Sequence, residues 1–196
     1  MNYRHSLWYC CLLTMLIFQI DTVRIAHSAE QTLSLNVKAN VVENSCKISF
    51  SDSGSVDLGK QSIAAIESVD SFTNYIGNGK HFSINVSDCS PLSSGGISKL
   101  IFNFSPQSGT FPVESSQAFA NDILPADGGA TGVGLVIFAE QQDKNVLDES
   151  GHSNAIFDVT SDTYLNSYGF FARLQKINTI TEGDFTTHVT VEVTYE

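Results

Sequence analysis

The sequence predicts an all-β domain, most economically a sandwich of two sheets, and three observations carry that prediction. Apolar and polar residues alternate with a period of two over several long segments, which is typical of half-buried strands. Short runs of Gly, Pro, Ser, Asn and Asp separate these segments and have the chemistry of turns. No stretch sustains the 3.6-residue period of a helix, and residues 62–68 are predicted to form one or two helical turns at most.

The strands are predicted where the alternation is clearest. The first carries an apolar face made of Leu33, Leu35, Val37, Ala39 and Val41. The later alternating segments, in chain order, are residues 82–86, 100–104, 170–174 and 185–195. A further segment, 132–140, is apolar on both faces and predicts a strand buried within a sheet. We find no repeat and no interdomain linker, so one domain is predicted, with a sandwich of the two sheets as its architecture.

The numbering of the apolar residues changes parity after the first strand. Its apolar residues have odd numbers, whereas Ile48 and Phe50, which follow Cys46, have even numbers. One continuous strand cannot face one core with both sets, because a slip of one residue turns every side chain over. A bulge at residues 43–45 would reconcile the two sets within one domain. Alternatively, the first segment is an arm whose apolar face belongs to another polypeptide, and parity alone leaves both interpretations open.

Residues 1–28 are predicted to be a secretory signal peptide. Arg4 and His5 precede an apolar run at residues 7–20, which is shorter than the roughly 20 residues that a membrane-spanning helix needs. Small residues near Ser28 fit cleavage after that position. An uncleaved anchor is the alternative, but nothing resembling a stop-transfer sequence follows. We therefore expect an exported chain without direct membrane insertion.

The charge balance excludes one class of partner. The chain has 21 acidic and 10 basic residues and a formal net charge of −11. Binding to nucleic acid draws most of its affinity from cationic side chains on phosphates, so no nucleic-acid partner is expected. The same sign disfavours docking on anionic lipid by charge alone.

Cysteine usage predicts one disulfide. Cys10 and Cys11 would leave with the signal peptide, so Cys46 and Cys89 remain. An even count of two in an exported chain favours a bond between them. A metal site on these two residues would need another Cys or His at close spacing, and neither cysteine has one.

The sequence offers no constellation for catalysis or for a cofactor. His81, His152 and His188 have no spacing that places two on one face beside a carboxylate, so no metal site is expected. The members of a Ser-His-Asp triad need not be close in sequence, so spacing does not test for one. The Gly-x-Ser-x-Gly turn of many serine hydrolases is absent, however, and we expect no enzymatic activity and no cofactor.

A series of motifs, in order, carries a family resemblance. They are TLSLNVKANVVENSC (residues 32–46), VDLGK (56–60), FSINVSDC (82–89), IFNF (101–104), ATGVGLVIFAEQQ (130–142), YGFFARLQ (168–175) and ITEGDFTTHVTVEVTYE (180–196). The most specific signal is the pattern Phe-x-Ala-Arg-Leu, followed about ten residues later by Gly183 and then by alternation up to Tyr195. On these motifs the chain resembles the structural subunits of chaperone–usher fimbriae, and most closely the minor, adapter-type subunits of type 1-like pili.

The resemblance implies an incomplete immunoglobulin-like β-sandwich that lacks its C-terminal strand and is completed by a donor strand from another chain. A sandwich in that state leaves backbone groups unpaired and core side chains exposed along a groove, which is costly. The partners implied are a periplasmic fimbrial chaperone, an outer-membrane usher and neighbouring pilin subunits, the last through β-strand addition into a filament. The implied location is the cell-surface fimbrium of a Gram-negative bacterium, reached through the periplasm.

The resemblance also divides the chain and assigns its residues. Residues 29–43 would be the N-terminal donor-strand extension, here called the arm, and residues 44–196 the pilin domain. The donor residues would be Leu33, Leu35, Val37, Ala39 and Val41, with Ala39 standing where family members usually carry Gly at a tight pocket. The acceptor groove and chaperone-binding surface would be lined by the last strand, with Val189, Val191, Val193 and Tyr195, and by an adjacent strand of the same core, with Phe170, Ala172 and Leu174.

Two alternatives accompany these assignments. The arm could instead be an ordinary first strand that pairs within its own domain, which periodicity alone favours. The protein could also be a fimbrial tip adhesin or another secreted carbohydrate-binding β-sandwich module that supports cell adhesion directly. Family adhesins generally carry a separate lectin domain ahead of the pilin domain, and only about 17 residues precede Cys46 after the expected cleavage. We therefore expect a structural subunit rather than the adhesin. The sequence leaves open whether it is the major rod subunit or an adapter, and the resemblance of the arm and of residues 139–174 to adapter-type subunits favours a minor subunit.

Overall fold

Two five-stranded sheets make up the fold in the computed structural model, which describes residues 34–39, 46–51, 53–69, 71–89, 96–160 and 163–196. For residues 34–39 it describes the backbone and its pairing. The strands are β1 (Ser34–Ala39), β2 (Cys46–Phe50), β3 (Ser55–Asp57), β4 (Gly79–Cys89), β5 (Lys99–Pro106), β6 (Val133–Ala139), β7 (Lys144–Asn145), β8 (Ala155–Asp158), β9 (Ser167–Lys176) and β10 (Thr186–Tyr195). The expected all-β class with two sheets is confirmed.

The order of the strands brings β1 and β10 together, although they lie far apart in the sequence. One sheet has the order β3-β1-β10-β5-β8, and the other has the order β2-β4-β9-β6-β7. The named strand pairs are antiparallel, with one exception: β1 runs parallel to β10. Strands near the two ends of the chain therefore meet in the middle of the first sheet.

Helical structure in the described residues is short, as the sequence predicts. The helix α1 (Ile63–Glu67) begins after Ser62, whose hydroxyl accepts a hydrogen bond from the backbone N–H of Ala65 at 3.2 Å. Two 3₁₀ turns cover Pro125–Asp127 and Glu140–Gln142. The single buried residue of α1, Ile66, ties the helix to the core.

The core between the sheets is rich in aromatic rings. Phe170 of β9 lies 5.2 Å from Phe104 and 5.5 Å from Phe102, both on β5 across the core, measured between ring centroids. Phe82 stacks on Phe170 from the same sheet at 5.6 Å. Such ring pairs add to the stabilisation from area burial alone. The aromatic cluster therefore packs the two sheets face to face through β5 and β9.

Alternation predicted the exposure of the strands well where one face is solvated. In β10 the odd-numbered residues from Thr187 to Val193 are buried, and the even-numbered ones are half-buried. In β6 every residue is buried, as expected for a strand that is apolar on both faces. The proposed bulge at 43–45 lies outside the described residues. The structure instead places a register shift between Lys47 and Ile48, where β4 has one extra residue, Ser87, opposite β2.

Gly183, the glycine of the C-terminal motif, lies where two loops approach closely. A Cβ atom on it would lie 2.5 Å from the carbonyl carbon of Gly129 and 2.6 Å from the carbonyl oxygen of Gly128, and closer still to the backbone nitrogen of Ala130. Hydrogen bonds between Asp184 and this loop, from Asp184 N–H to the Gly128 oxygen and from Ala130 N–H to the Asp184 oxygen, both at 2.9 Å, hold the loops together. The motif glycine is therefore required by packing of backbone on backbone.

Changing Gly183 to Ala should destabilise the domain by about 2 kcal/mol. The added Cβ would meet backbone atoms of a hydrogen-bonded loop, and backbone atoms cannot move aside as a side chain can by changing its rotamer. Urea unfolding of the purified chain measures this. Gly109 offers the matched control, since a Cβ there meets nothing within 4 Å, although its φ of +73° adds local strain. Equal losses for Gly183→Ala and Gly109→Ala would contradict the packing explanation.

Candidate functional site

The candidate site is the position that β1 occupies between β10 and β3. Residues Ser34 to Ala39 pair with Thr186 to Val191 of β10 in parallel register. On its other side, β1 pairs antiparallel with β3 through Ser34 to Asn36. Without β1, the facing edges of β10 and β3 would lose these partners, and unpaired backbone groups inside a sheet are costly. This position, bounded by β10 and β3, is called the groove below.

Strand β10 bounds the groove on one side, and its alternate side chains point into the core. Val189 and Val191 have no exposed surface, and Val193 is 2% exposed. Tyr195 is partly buried and packs against the core. All four residues predicted on this strand thus lie in or against the core, beside the strand position that β1 takes.

The other predicted groove residues lie in the opposite sheet. Phe170, Ala172 and Leu174 are buried on β9, and β9 pairs with β4 and β6 rather than with β10. β9 therefore belongs to the same core as β10 and faces it from the other sheet, and the role of these three residues in the acceptor groove stays a prediction. Its buried side chains share one core cluster with Val189 and Val191, and its backbone does not form an edge of the groove.

The register places part of the predicted donor set in this groove. Leu35, Val37 and Ala39 stand level with Thr187, Val189 and Val191, which are the inward positions of β10. Leu33 and Val41 lie outside the described residues. The odd positions of β1 and the odd positions of β10 thus share one level and one face of the sheet, since paired residues in neighbouring strands lie on the same side.

The end of β10 is held by the start of β5. The backbone oxygen of Glu196 accepts hydrogen bonds from the N–H groups of Ser98 at 2.6 Å and Lys99 at 3.0 Å, and from the Ser98 hydroxyl at 3.1 Å. The Glu196 side chain lies 3.7 Å from the Lys99 ammonium, in an exposed ion pair. These contacts fix Glu196 against the start of β5.

Cys46 and Cys89 form the predicted disulfide. They are paired residues at the beginning of β2 and the end of β4, and each is 1% exposed. The bond therefore fixes the point at which the chain enters the second sheet after the arm.

Comparison with known proteins identifies the family. The family described as "Fimbrial protein" matches residues 33–196, which is most of the chain. The chain is also 35% identical over 170 residues to the uncharacterised fimbrial-like protein YadK of Escherichia coli (strain K12), covering 83% of this chain and 84% of that protein.

The chain belongs to the fimbrial protein family. Among solved structures, it is similar to the P pilus rod subunit PapA, with a TM-score of 0.41 and 17% identity, covering 80% of this chain and 96% of PapA. It is also similar to the CupB6 tip adhesin of Pseudomonas aeruginosa, with a TM-score of 0.40 and 11% identity, covering 82% of this chain and 41% of the adhesin. The predicted resemblance to fimbrial subunits is confirmed by the family match.

Membership of this family settles the coarse function. The fimbrial protein is a subunit of a pilus, a surface appendage that assembles from pilin subunits, and its family is not a family of enzymes. Among the helices in the described ranges, none has the length and apolarity to cross a bilayer. No cluster of three or more potential metal ligands occurs within those ranges.

One Asp–His pair in the fimbrial protein resembles part of a catalytic site, but the surrounding contacts indicate a structural role. Asp122 Oδ2 lies 2.7 Å from His188 Nδ1 and also accepts the backbone N–H of His188 at 2.9 Å. Asp122, His188 and Ser108 line one open cavity. The hydroxyl of Ser108 lies 3.1 Å from the hydroxyl of Thr110. Asp122 therefore fixes the start of β10, because its carboxylate bonds both the backbone and the side chain of His188.

Sequence reasoning missed a second buried cluster on the outer face of β9. Phe171, Arg173 and Gln175 alternate with the core residues of β9, and the alternation predicted a solvated face. The segment around Phe72 covers that face instead, and Phe171 packs there with Ala118, Val136 and Phe138. Arg173 is 1% exposed and Gln175 has no exposed surface. The sequence held one signal for this second cluster: Arg173 is the arginine of the family motif Phe-x-Ala-Arg-Leu.

Arg173 anchors the covering segment to β9. Its guanidinium donates to the backbone oxygens of Ser71 and Asn74 and, at 2.6 Å, to the side-chain oxygen of Gln175. It also lies over the ring of Phe138, 5.2 Å from the centroid. Burial lowers the pKa of Arg173 to about 10, so the side chain remains charged at neutral pH. The two terminal nitrogens of the guanidinium face these oxygens, whereas Nε is buried and has no hydrogen-bond partner among the residues that the structure describes.

Changing Arg173 to Lys should lower the free energy of unfolding by about 2 kcal/mol, because one ammonium cannot span the two backbone oxygens that the planar guanidinium reaches. Hydrogen exchange should become faster at the backbone amides of residues 71–76 in particular. The control is Lys176→Ala, a change on the same strand as Arg173 that removes the exposed ion pair between Lys176 and Glu67, 2.7 Å long. It should change the free energy of unfolding by less than about 1 kcal/mol. Unchanged exchange in Arg173→Lys would mean that the segment is held by its apolar contacts alone.

Proposed function

We propose that this fimbrial protein is a minor, adapter-type subunit of a chaperone–usher fimbria that assembles by donor-strand complementation and exchange and supports cell adhesion. Its groove between β10 and β3 receives an extended strand from a neighbouring subunit. Its own arm, residues 29–43, is the strand it donates, through Leu33, Leu35, Val37, Ala39 and Val41. A periplasmic chaperone holds the groove first, and an outer-membrane usher receives the subunit.

The observation that supports this proposal is the pairing of one extended segment with both edges of the groove. A strand in this position gains main-chain hydrogen bonds from β10 and β3 at once, and its alternate residues stand level with the buried positions Val189 and Val191. Main-chain pairing gives such a strand affinity, and the alternate side chains give it specificity. The groove thus has the chemistry of a receptor for an apolar, alternating strand.

The remaining steps of the proposal concern export. Residues 1–28 direct the chain to the periplasm as a cleaved signal peptide, where the Cys46–Cys89 disulfide forms under oxidising conditions. The chaperone binds along β10 by main-chain pairing. Assembly then proceeds head to tail, since each subunit offers one groove and one arm and contacts of this kind do not close.

The proposal is tested on a chain that lacks its arm, residues 44–196. A peptide of residues 31–43, used in place of the alternating strand of a neighbouring subunit and added at about 100 times its dissociation constant, should stabilise the arm-free chain by about 2.7 kcal/mol. For a domain of this size that is a rise in melting temperature of about 5–10 °C. The control peptide carries Val37→Asp and should give no shift. If the arm-free chain is stable alone and indifferent to both peptides, the groove is not a strand receptor and the proposal is wrong.

A further inference from the structure

A cavity of about 270 Å³ lies between the segment around Phe72, which covers β9, and the turn that joins β7 to β8. Gln117 lines it as well, together with Asn145 at the end of β7 and with Asp148 and Asn154 of the turn. None of the described residues that line it belongs to β1, β3 or β10. This cavity, called the side cavity below, therefore takes no part in the proposed exchange of strands.

The wall of the side cavity holds a hydrogen-bond acceptor without a partner. The side-chain oxygen of Asn154 is buried and accepts no hydrogen bond from any of the described residues. Its backbone is fixed, because the N–H of Asn154 donates to the backbone oxygen of Val146 at 2.9 Å. A buried acceptor that stays unpaired is costly, and such groups are uncommon in native structures. A donor group on a bound ligand would satisfy it.

Contacts within the chain hold the neighbouring polar groups of the wall in place. Asn145 is 4% exposed, its amide donates to the backbone oxygen of Gln117 at 2.9 Å, and its side-chain oxygen accepts the N–H of Leu147 at 3.1 Å. A carboxylate oxygen of Asp148 accepts the backbone N–H of His152 at 2.9 Å. This hydrogen bond lowers the pKa of Asp148, so its carboxylate is charged at neutral pH. The side cavity is therefore preformed, as small-molecule sites usually are.

The cavity beside His188 differs from the side cavity in this respect. It is larger, at about 420 Å³, but Asp122 in its wall is paired with His188 at 2.7 Å. Ser108 in the same wall is paired with Thr110 at 3.1 Å. The side cavity is thus the stronger candidate despite its smaller volume, because it combines fixed walls with an acceptor that lacks a donor.

The lining of the side cavity indicates the chemistry of its ligand. Phe72 offers aromatic surface, and Asn154 and Asp148 offer oxygen acceptors, so a matching ligand has an apolar face and hydroxyl donors. The charged residues of the lining are two acidic side chains, Asp148 and Glu149, and one basic side chain, Lys144, which disfavours an anion. The volume is slightly below the roughly 300 Å³ at the lower end of small-molecule pockets, so the ligand is small.

We propose that the side cavity binds a neutral sugar residue, with one face of its ring against Phe72 and a hydroxyl donating to the side-chain oxygen of Asn154. A pyranose ring meets both requirements, since it carries C–H groups on its faces and hydroxyls around its edge. The ammonium of Lys144 supplies a donor for a sugar oxygen. This site lies on the pilin domain itself, and the inference does not depend on the proposed role of the groove.

Saturation-transfer NMR with the purified, disulfide-bonded chain tests this proposal. The probes are the methyl glycosides of glucose, galactose, mannose and N-acetylglucosamine, and the same four residues linked to a carrier protein are used in a surface-binding assay. At least one neutral probe should bind, with a dissociation constant on the order of 1 mM for the methyl glycoside. Binding in solution assigns a free sugar as the ligand, and binding only on the carrier assigns the end of a glycan. Glucuronic acid and glucosamine are the charged comparison probes.

Asn154→Leu is the variant that separates binding from stability. Leucine replaces the amide by an apolar group of similar shape and so removes the unpaired acceptor. The dissociation constant should rise at least about tenfold, while the melting temperature should stay the same or rise. An asparagine with a purely structural role would instead lower the melting temperature when it is replaced. Ser108→Ala, in the other cavity, is the matched control and should leave sugar binding unchanged.

Phe72→Leu gives a second, independent readout. It keeps an apolar side chain over β9 but removes the ring, so sugar binding should weaken about threefold or more. Three results would overturn the inference: no binding of any neutral probe, binding of the charged probes alone, or unchanged sugar binding in both Asn154→Leu and Phe72→Leu. The peptide test of the groove does not involve these residues, so its outcome is independent of this one.

Discussion

Changing Val191 to Asp should abolish the folded domain and, with it, any stable complex with a chaperone or a donor peptide. Val191 has no exposed surface and pairs with Phe104 of β5 on one side and with Ala39 of β1 on the other. A carboxylate there has no cation to pair with at these neighbours and must either stay charged in an apolar core or take up a proton. An uncompensated buried charge costs about 3–5 kcal/mol, which is a large part of a typical domain's 5–15 kcal/mol.

The matched control is Thr190→Asp, which adds the same charge one residue earlier. Thr190 is half-buried on the outward face of β10, so its carboxylate keeps water. We expect this variant to fold and to bind the arm peptide with a stability change under about 1 kcal/mol. Circular dichroism melting and co-purification with the chaperone measure both variants. Equal behaviour of Val191→Asp and Thr190→Asp would show that the inward face of β10 does not govern folding or binding.

Removing the disulfide should have the next largest effect. Cys46 and Cys89 close a loop with a sequence separation of 43, which on the chain-entropy model contributes about 4 kcal/mol. The double variant Cys46→Ala/Cys89→Ala should therefore lose about 4 kcal/mol of unfolding free energy in urea. It should also loosen the arm, because the bond fixes the end of the linker that follows β1.

Two comparisons separate the covalent bond from its surroundings. The unaltered chain under reducing conditions should lose nearly as much stability as the double variant. Lys47→Ala removes the neighbouring ion pair with Asp88, 2.9 Å long and exposed, and should leave stability almost unchanged. A reduced chain as stable as the oxidised one would show that the sheets alone fix the junction between the arm and β2.

The prediction from sequence succeeded where a physical pattern is local. Alternation with a period of two gave β10, β5 and β4, because one face of each strand meets the core and the other meets water. The unbroken apolar run gave β6, buried throughout. Two cysteines in a chain predicted to be exported led to the prediction of the disulfide, which the structure contains. The motif glycine, Gly183, was recognised as a feature of the family, and the structure supplies its reason: backbone atoms of the 128–130 loop leave no room for a Cβ.

The prediction failed where a distant segment changes the surroundings of a strand. Phe171, Arg173 and Gln175 alternate with core residues and so predicted a solvated face on β9. Residues 71–76 fold over that face, and Arg173 and Gln175 donate hydrogen bonds to the backbone oxygens of Ser71, Asn74 and Val69. No local period encodes such a cover, since it depends on a segment about a hundred residues away in the chain.

The sequence by itself determined that this protein is a β-sandwich with one disulfide and an apolar, alternating arm, because periodicity and cysteine count act within short stretches of chain. Only the tertiary structure decided that β9 faces β10 across the core and that residues 34–39 lie parallel to β10. Strand neighbours and directions depend on which backbone edges meet in space. Alternation has the same period in either direction and beside any neighbour, so it carries no information about them.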